Sequence, residues 1–174
     1  MMSLTFVFWL FIIIFAVIGA MRGWSRELLV SFSVTLSLAL SRLLENYVPV
    51  VMNMDPDSES LFWVRAIVLL TLVFFGYQTV YIPRFASKAT RERLQDWLLG
   101  FVVGALNGYL IVGTLWFDMD QAKYPFDPHI SAPVDAALET VKRMMAYMPP
   151  NLLGEPGIYF AVIIAFIFVL VVFI

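Results

Sequence analysis

Long apolar stretches alternate with short polar connections along this chain of 174 residues. Five stretches, each of 17 to 22 residues, consist mainly of apolar side chains: 4–21, 28–44, 61–82, 97–117 and 157–174. About 20 such residues in an α-helix cross the roughly 30 Å hydrocarbon core of a bilayer. The pattern predicts an all-α fold, a polytopic membrane helix bundle of about five transmembrane helices that forms a single domain over residues 1–174.

The connection between the fourth and fifth stretches has a different pattern. Over residues 133–148, apolar side chains recur at helical spacing and charged side chains take the other face. Glu139 and Arg143 have the spacing of a favourable ion pair, and Pro149–Pro150 is expected to stop the helix. This segment is predicted to be an amphipathic helix on the outer face, and we expect it to cap the bundle rather than to sense lipid. Its apolar positions are Val134, Ala137, Leu138, Val141, Met145 and Met148.

Composition limits the chemistry that this chain can perform. Hydrophobic residues make up 61% and charged residues 14%, against about 25% charged in soluble domains. There is no cysteine, and the single histidine, His129, lies among prolines in the outer connection. No hydrolase, zinc-protease or nucleotide-binding motif is present. We therefore expect no enzymatic activity, no catalytic residue, no cofactor, no metal and no nucleic-acid partner; the expected partners are the lipid bilayer and other membrane protein subunits.

Positive charges cluster in two connections on the same side of the predicted topology. Arg22 and Arg26, beside Glu27, follow the first stretch, and these two connections hold six of the 11 Lys and Arg residues. Cytoplasmic loops are enriched in Lys and Arg, so the N-terminus is predicted outside and the C-terminus inside. Topology and anchoring explain this cytoplasmic boundary cluster best; the alternatives for Arg22 and Arg26 are binding of lipid phosphate, pairing with Glu27 or Asp96, and docking of a cytoplasmic partner. Its other members are Arg84, Lys88, Arg91 and Arg93.

Glycines recur every four residues in the fourth stretch. Gly100, Gly104 and Gly108 leave a groove along one helix face, into which another helix can pack closely. Gly19 and Gly23 repeat the spacing at the end of the first stretch. We interpret these glycines as helix-packing positions, with a glycine-lined passage as the alternative.

Serines have the same spacing in the second stretch. Ser33, Ser37 and Ser41 place three hydroxyl groups on one helix face. Hydroxylated side chains of this size favour close helix packing and bond to carbonyls of their own helix. The alternative is a polar pore lining.

Ionisable groups are expected near the ends of the spans rather than at their centres. The middles of the spans hold only Thr71 and Asn107 as modest polar groups, which argues against an ion pump that works by itself. Arginines near a boundary are expected to extend toward the headgroups. The residues near predicted boundaries are Glu27, Arg42, Arg65 and Asp96.

Two segments resemble a known family. Residues 18–29, IGAMRGWSRELL, lead into the serine-rich second stretch, and residues 98–108, LLGFVVGALNG, follow the basic connection. With the order of the spans, they resemble the CvpA family, the colicin V production proteins of the bacterial inner membrane, over about residues 4–150. The resemblance implies four spans and a role in toxin production, toxin export or envelope homeostasis with no established chemistry. The fifth stretch is an addition to that pattern.

Three functions follow from these observations. The first is a non-enzymatic, CvpA-like, multi-pass inner-membrane protein that acts through helix–helix contacts. The second is an accessory subunit of a larger membrane complex, such as a respiratory or photosynthetic assembly. The third is a small-solute channel lined by the serines.

Overall fold

The computed structural model describes residues 4–78, 93–127 and 129–173. Within these ranges the chain forms eight α-helices and no strand. Together with the apolar character of the long helices, this confirms the predicted membrane helix bundle. The helices are α1 (Leu4–Arg22), α2 (Trp24–Tyr47), α3 (Pro49–Met52), α4 (Glu59–Tyr77), α5 (Arg93–Gln121), α6 (Asp135–Met145), α7 (Pro149–Leu152) and α8 (Gly157–Phe173).

Four of the described helices are long and apolar enough to cross a membrane, namely α1, α2, α4 and α5. The 17-residue α8 meets this criterion only together with the segment Ala137–Leu152, from which it is bent by 60°. The described chain therefore has four helices that could cross a membrane, or five candidates when the bent pair is counted as one.

Helices α1 and α4 run in one direction and α2 and α5 in the other, so the bundle has two distinct ends. At the turn end, the α1–α2 turn lies beside the start of α5, where the main-chain nitrogen of Trp24 is 3.3 Å from Oδ1 of Asp96. At the cap end, the start of α1 packs against the last turns of α5, as the Phe8 and Trp116 rings show with centroids 5.5 Å apart. Helices α6 and α7 lie at this second end.

In the described part of the chain, three apolar clusters fill the bundle, the smallest of them between α2 and α8 around Ile158. Between α2, α4 and α5, the buried side chains include Val30, Val34, Leu69 and Ile111. At the cap end, Val141, Met145 and Met148 join a cluster with Phe8, Phe62 and Trp116. The apolar face of α6 thus lies on the ends of α1, α4 and α5, as a cap does.

Helices α2 and α5 are longer than their apolar stretches. The prediction of 28–44 becomes Trp24–Tyr47, and 97–117 becomes Arg93–Gln121. Their added turns carry polar side chains that bond across the bundle, so helical structure continues beyond the apolar residues. Helix α4 is described as far as Tyr77, and the remainder of the predicted 61–82 span lies outside the described residues.

The amphipathic helix differs from its prediction in two respects. It runs from Asp135 to Met145 rather than over 133–148, and Leu138 on its apolar side is exposed. The Glu139 carboxylate lies 3.8 Å from Nζ of Lys142, so it pairs with that residue and not with Arg143 as predicted. Among the described side chains of α6, only Val141 and Met145 are buried against the bundle. Glu139 and Lys142 beside them are exposed, so the bundle does not determine which charged residues of α6 pair.

Candidate functional site: two buried polar clusters

The contact between α1 and α5 brings the polar residues of the turn end together. A Cβ atom on Gly19 would lie 2.3 Å from the Gly100 oxygen and 2.6 Å from Cα of Gly104. A Cβ on Gly104 would lie 2.4 Å from the Phe15 oxygen, and Gly108 faces the Phe15 side chain. The two backbones are therefore in direct contact, which glycine alone allows.

Gly23 makes the turn from α1 into α2. Its φ of 87° and ψ of 151° belong to a region that is essentially restricted to glycine. A Cβ there would also lie 2.7 Å from Oδ2 of Asp96. The carboxylate of Asp96 accepts a hydrogen bond from the main-chain nitrogen of Trp24, so a negative charge lies at the positive end of α2.

The first buried cluster, which we call the Glu27 cluster, comprises Arg22, Glu27, Ser31, Tyr77 and Asn107. Nη1 of Arg22 is 2.6 Å from Oε1 of Glu27, and Nη2 of Arg22 donates to the Tyr77 carbonyl at 3.1 Å. The guanidinium carbon lies 4.3 Å from the centre of the Tyr77 ring, within the range of a cation–π contact. Arg22 thereby joins α1 to both α2 and α4.

Asn107 completes this cluster from the middle of α5. Its Nδ2 donates to Oε2 of Glu27 at 2.8 Å and to the Glu27 carbonyl at 2.9 Å, while its Oδ1 accepts from Oγ of Ser31 at 2.6 Å. Glu27 and Asn107 are both 0% exposed. Their polar atoms are paired within the bundle, as burial requires.

The second cluster, the Arg65 cluster, lies at the cap end and comprises Arg42, Glu45, Arg65, Asp118 and Gln121. Arg65 makes a two-bond contact with Glu45, with Nε to Oε1 at 2.6 Å and Nη2 to Oε2 at 3.0 Å. Its Nη1 reaches Oε1 of Gln121 at 2.7 Å and Oδ1 of Asp118 at 3.5 Å. Nη1 of Arg42 lies 3.4 Å from the same Glu45 carboxylate.

The predicted serine stripe is divided between two environments. Ser33 packs against α4, where a Cβ on Gly76 would lie 2.6 Å from its Oγ. Ser37 and Ser41 instead line a cavity of about 20 Å³ beside Arg65 and Asp118. A space of this size holds about one water molecule.

Of these contacts, only the pairing of Arg22 with Glu27 is predicted from the sequence, as one of several alternatives. Arg65 was expected to extend toward the headgroups, but it turns inward and is 9% exposed, because Glu45 and Asp118 lie within the bundle to neutralise it. The isolated amide of Asn107 in the middle of an apolar stretch is the one feature of the sequence that indicates a buried network at this position.

The cytoplasmic boundary cluster is described only in part. Arg22 and Glu27 join the buried network, whereas Arg26 is exposed. Arg84, Lys88 and Arg91 lie outside the described residues. Arg93 begins α5, and its side chain also lies outside the described part.

The fold and these buried networks define a class of protein, the polytopic helical membrane proteins. The family model Colicin V production protein matches residues 4–139, and the chain belongs to this family. It is therefore a membrane protein, and its family is associated with toxin production, as the resemblance of the two sequence motifs indicated. The match ends within α6, so α7 and α8 lie beyond it. Comparisons with curated proteins and with solved structures gave no match.

Proposed function

We propose that this chain is a non-enzymatic protein of the bacterial inner membrane that supports toxin production or export through contacts with another membrane protein. The observation that supports the proposal is that the buried polar groups bond to one another between helices. Glu27 bonds to Arg22 and Asn107, and Arg65 bonds to Glu45 and Gln121. These bonds cross α1, α2, α4 and α5 and hold them in one arrangement.

The surface that we propose for the partner is α8. One side of this helix packs on α2, with the Phe166 and Phe32 rings 6.0 Å apart and Ile158 buried. The other side is apolar and exposed, with Phe160 at 62% and Ile164 at 67%. Because α8 lies beyond the family match, it supplies a membrane surface in addition to the unit that the family defines.

A secretion assay tests the structural role of the Glu27 cluster. In a strain that makes colicin V and lacks the chromosomal copy of this gene, we expect the wild-type chain to restore toxin release. Glu27→Gln removes the charge that pairs with Arg22 and turns an NH2 group toward one of the two donors, Arg22 or Asn107, so it should lower the amount of folded protein, and release should fall only in proportion to that amount. Loss of release with normal amounts of folded protein would contradict the proposal, because the carboxylate itself would then be required.

Photo-crosslinking tests the partner surface. A photoreactive side chain at Ile164 on α8 should yield a discrete adduct with another membrane protein, and one at Ile67, equally apolar and 60% exposed on α4, serves as the matched control. Adducts at both positions, or at neither, would contradict docking on α8. The mass of the adduct distinguishes a toxin exporter from a respiratory or photosynthetic assembly.

We also propose that the turn end faces the cytoplasm and the cap end faces the outside, which is the orientation that the basic connections predict. The chain has no cysteine, so single cysteines report accessibility without background. In intact cells, a membrane-impermeant thiol reagent should label Asp57→Cys at the cap end and not Arg26→Cys at the turn end. The reverse labelling pattern would overturn the orientation.

A second candidate function, a small-solute channel, has one observation in its favour. The two polar clusters lie at different depths along the interface of α2, α4 and α5, with Val34, Leu69 and Ile111 packed in the layer between. Such a layer would act as a closed hydrophobic gate. In proteoliposomes, Val34→Ser should raise solute flux above that of wild type if the path exists; flux equal to that of empty liposomes for both proteins would eliminate this function.

A further inference from the structure

An apolar groove of about 540 Å³ lies at the cap end, between α1, α5 and α6. Phe8, Trp9 and Ile12 form one wall, and Ala105 and Leu106 form the other. Its volume falls within the roughly 300–1,000 Å³ of small-molecule pockets. The walls present hydrocarbon and aromatic surface and suit an apolar occupant.

The groove continues onto the side of the bundle that faces lipid. Trp9 and Leu106 belong to its walls and are themselves half exposed. Ile13 and Val102, one turn farther along the same helices, are also exposed. In a membrane, this surface lies against acyl chains, so the groove opens toward hydrocarbon.

Arg143 supplies a charge at the rim of the groove. Its guanidinium makes no hydrogen bond or ion pair within the described part of the chain, whereas its neighbour Lys142 pairs with Glu139. Buried Val141 and Met145 hold α6 against the bundle, which fixes where Arg143 stands. The hydroxyl group of Tyr109 donates to the Tyr147 carbonyl at the same rim, leaving its ring as part of the wall.

We propose that this groove binds a membrane phospholipid, with one acyl chain in the groove and the phosphate on Arg143. The positive charge of Arg143 lies at the rim and the apolar walls lie below it. A phospholipid has its negative phosphate and its hydrocarbon chain in the same order. Guanidinium groups bind phosphate oxygens with paired, charge-assisted hydrogen bonds. Aromatic residues such as Trp9 and Tyr147 are typical of the depth at which lipid phosphates lie. The lipid site does not depend on the partner contact proposed for α8.

Native mass spectrometry of the purified full-length chain tests the site. The delipidated protein is titrated with dioleoylphosphatidylglycerol or with dioleoylglycerol, which has the same chains and no phosphate. Arg143→Gln should weaken binding of the phospholipid by about ten-fold, the order of one charge-assisted contact, and leave binding of the diacylglycerol unchanged. Lys142→Gln, one residue away, should change neither.

A second pair of variants tests the groove itself. Ala105→Phe fills the groove and should reduce binding of both lipids, whereas Ile67→Phe places the same ring on the exposed side of α4, away from the groove, and should reduce neither. Equal binding by Arg143→Gln and Lys142→Gln would overturn the proposal, as would a wild-type chain that does not prefer the phospholipid. If Ala105→Phe shifts the protein from dimer to monomer without affecting lipid, the occupant is a second copy of the chain and the proposal fails.

Discussion

Nδ2 of Asn107 lies 2.8 Å from a carboxylate oxygen of Glu27 and 2.9 Å from the main-chain oxygen of the same residue. One amide at the middle of α5 therefore holds both the side chain and the backbone of the first turns of α2. The two residues are 80 positions apart in the sequence. Both residues are completely buried, so the contact lies inside the bundle and joins two helices that are far apart in the sequence.

Replacing Asn107 by leucine should destabilise the folded protein by about 1–3 kcal/mol. The substitution leaves Oε2 of Glu27 without its donor, and an unsatisfied buried polar group carries a cost of this size. Thermal unfolding in detergent, followed by circular dichroism, measures the change. Thr71→Leu is the matched control, because Thr71 is an exposed polar residue within α4, and it should have little effect.

The ion pairs Arg65–Glu45 and Lys123–Asp57 should differ strongly in coupling energy, although each has an N–O distance of 2.6 Å. The side chains of the first pair are 10% and 18% exposed, and those of the second are 75% and 51% exposed. Exposed pairs contribute little because water screens them, whereas breaking a buried pair costs about 3–5 kcal/mol because one charge is left without its partner.

Double-mutant cycles with methionine at each position measure both couplings from the free energy of unfolding in detergent. Salt at molar concentration should reduce the coupling of Lys123 with Asp57 and leave that of Arg65 with Glu45 largely unchanged, because burial limits screening. Equal couplings for the two pairs would mean that water reaches the Arg65 cluster freely.

Gly104→Ala should destabilise the bundle by about 1–3 kcal/mol, because the added methyl group would overlap the Phe15 oxygen and force α1 away from α5. Gly157→Ala is the matched control, since a Cβ there meets no atom within 4 Å. Gly157 is the first residue of α8, outside the helix interior where alanine is favoured over glycine, so the control should be close to neutral. Comparable loss of stability in both variants would show that helix contact is not the role of Gly104.

Gly23→Ala should also destabilise the protein, by about 1–3 kcal/mol from backbone strain and further from the clash with Asp96. Asp96→Ala separates the two causes. In that background the clash is absent, and the remaining loss measures the cost of placing alanine at a φ of 87°. Chemical denaturation of all four proteins provides the comparison, and full rescue by Asp96→Ala would contradict the backbone argument.

Much of this fold follows from the sequence because lipid places a simple demand on each segment separately. A stretch of about 20 apolar residues must satisfy its backbone hydrogen bonds internally, and the helix does so. The apolar stretches therefore predicted α1, α2, α4, α5 and α8, and the two motifs indicated the family. The glycine spacing of α5 likewise predicted a close helix contact before its partner was known.

What only the tertiary structure decided is which groups meet. The guanidinium of Arg65, near the end of a span, could be stabilised either by the lipid headgroups or by a carboxylate inside the bundle. It turns inward because Glu45 and Asp118 lie within reach there. The meeting of Glu27 with Asn107 depends in the same way on how α2 and α5 rotate and slide against each other. These contacts come from the packing of separate segments, so no local pattern of apolar and polar positions records them.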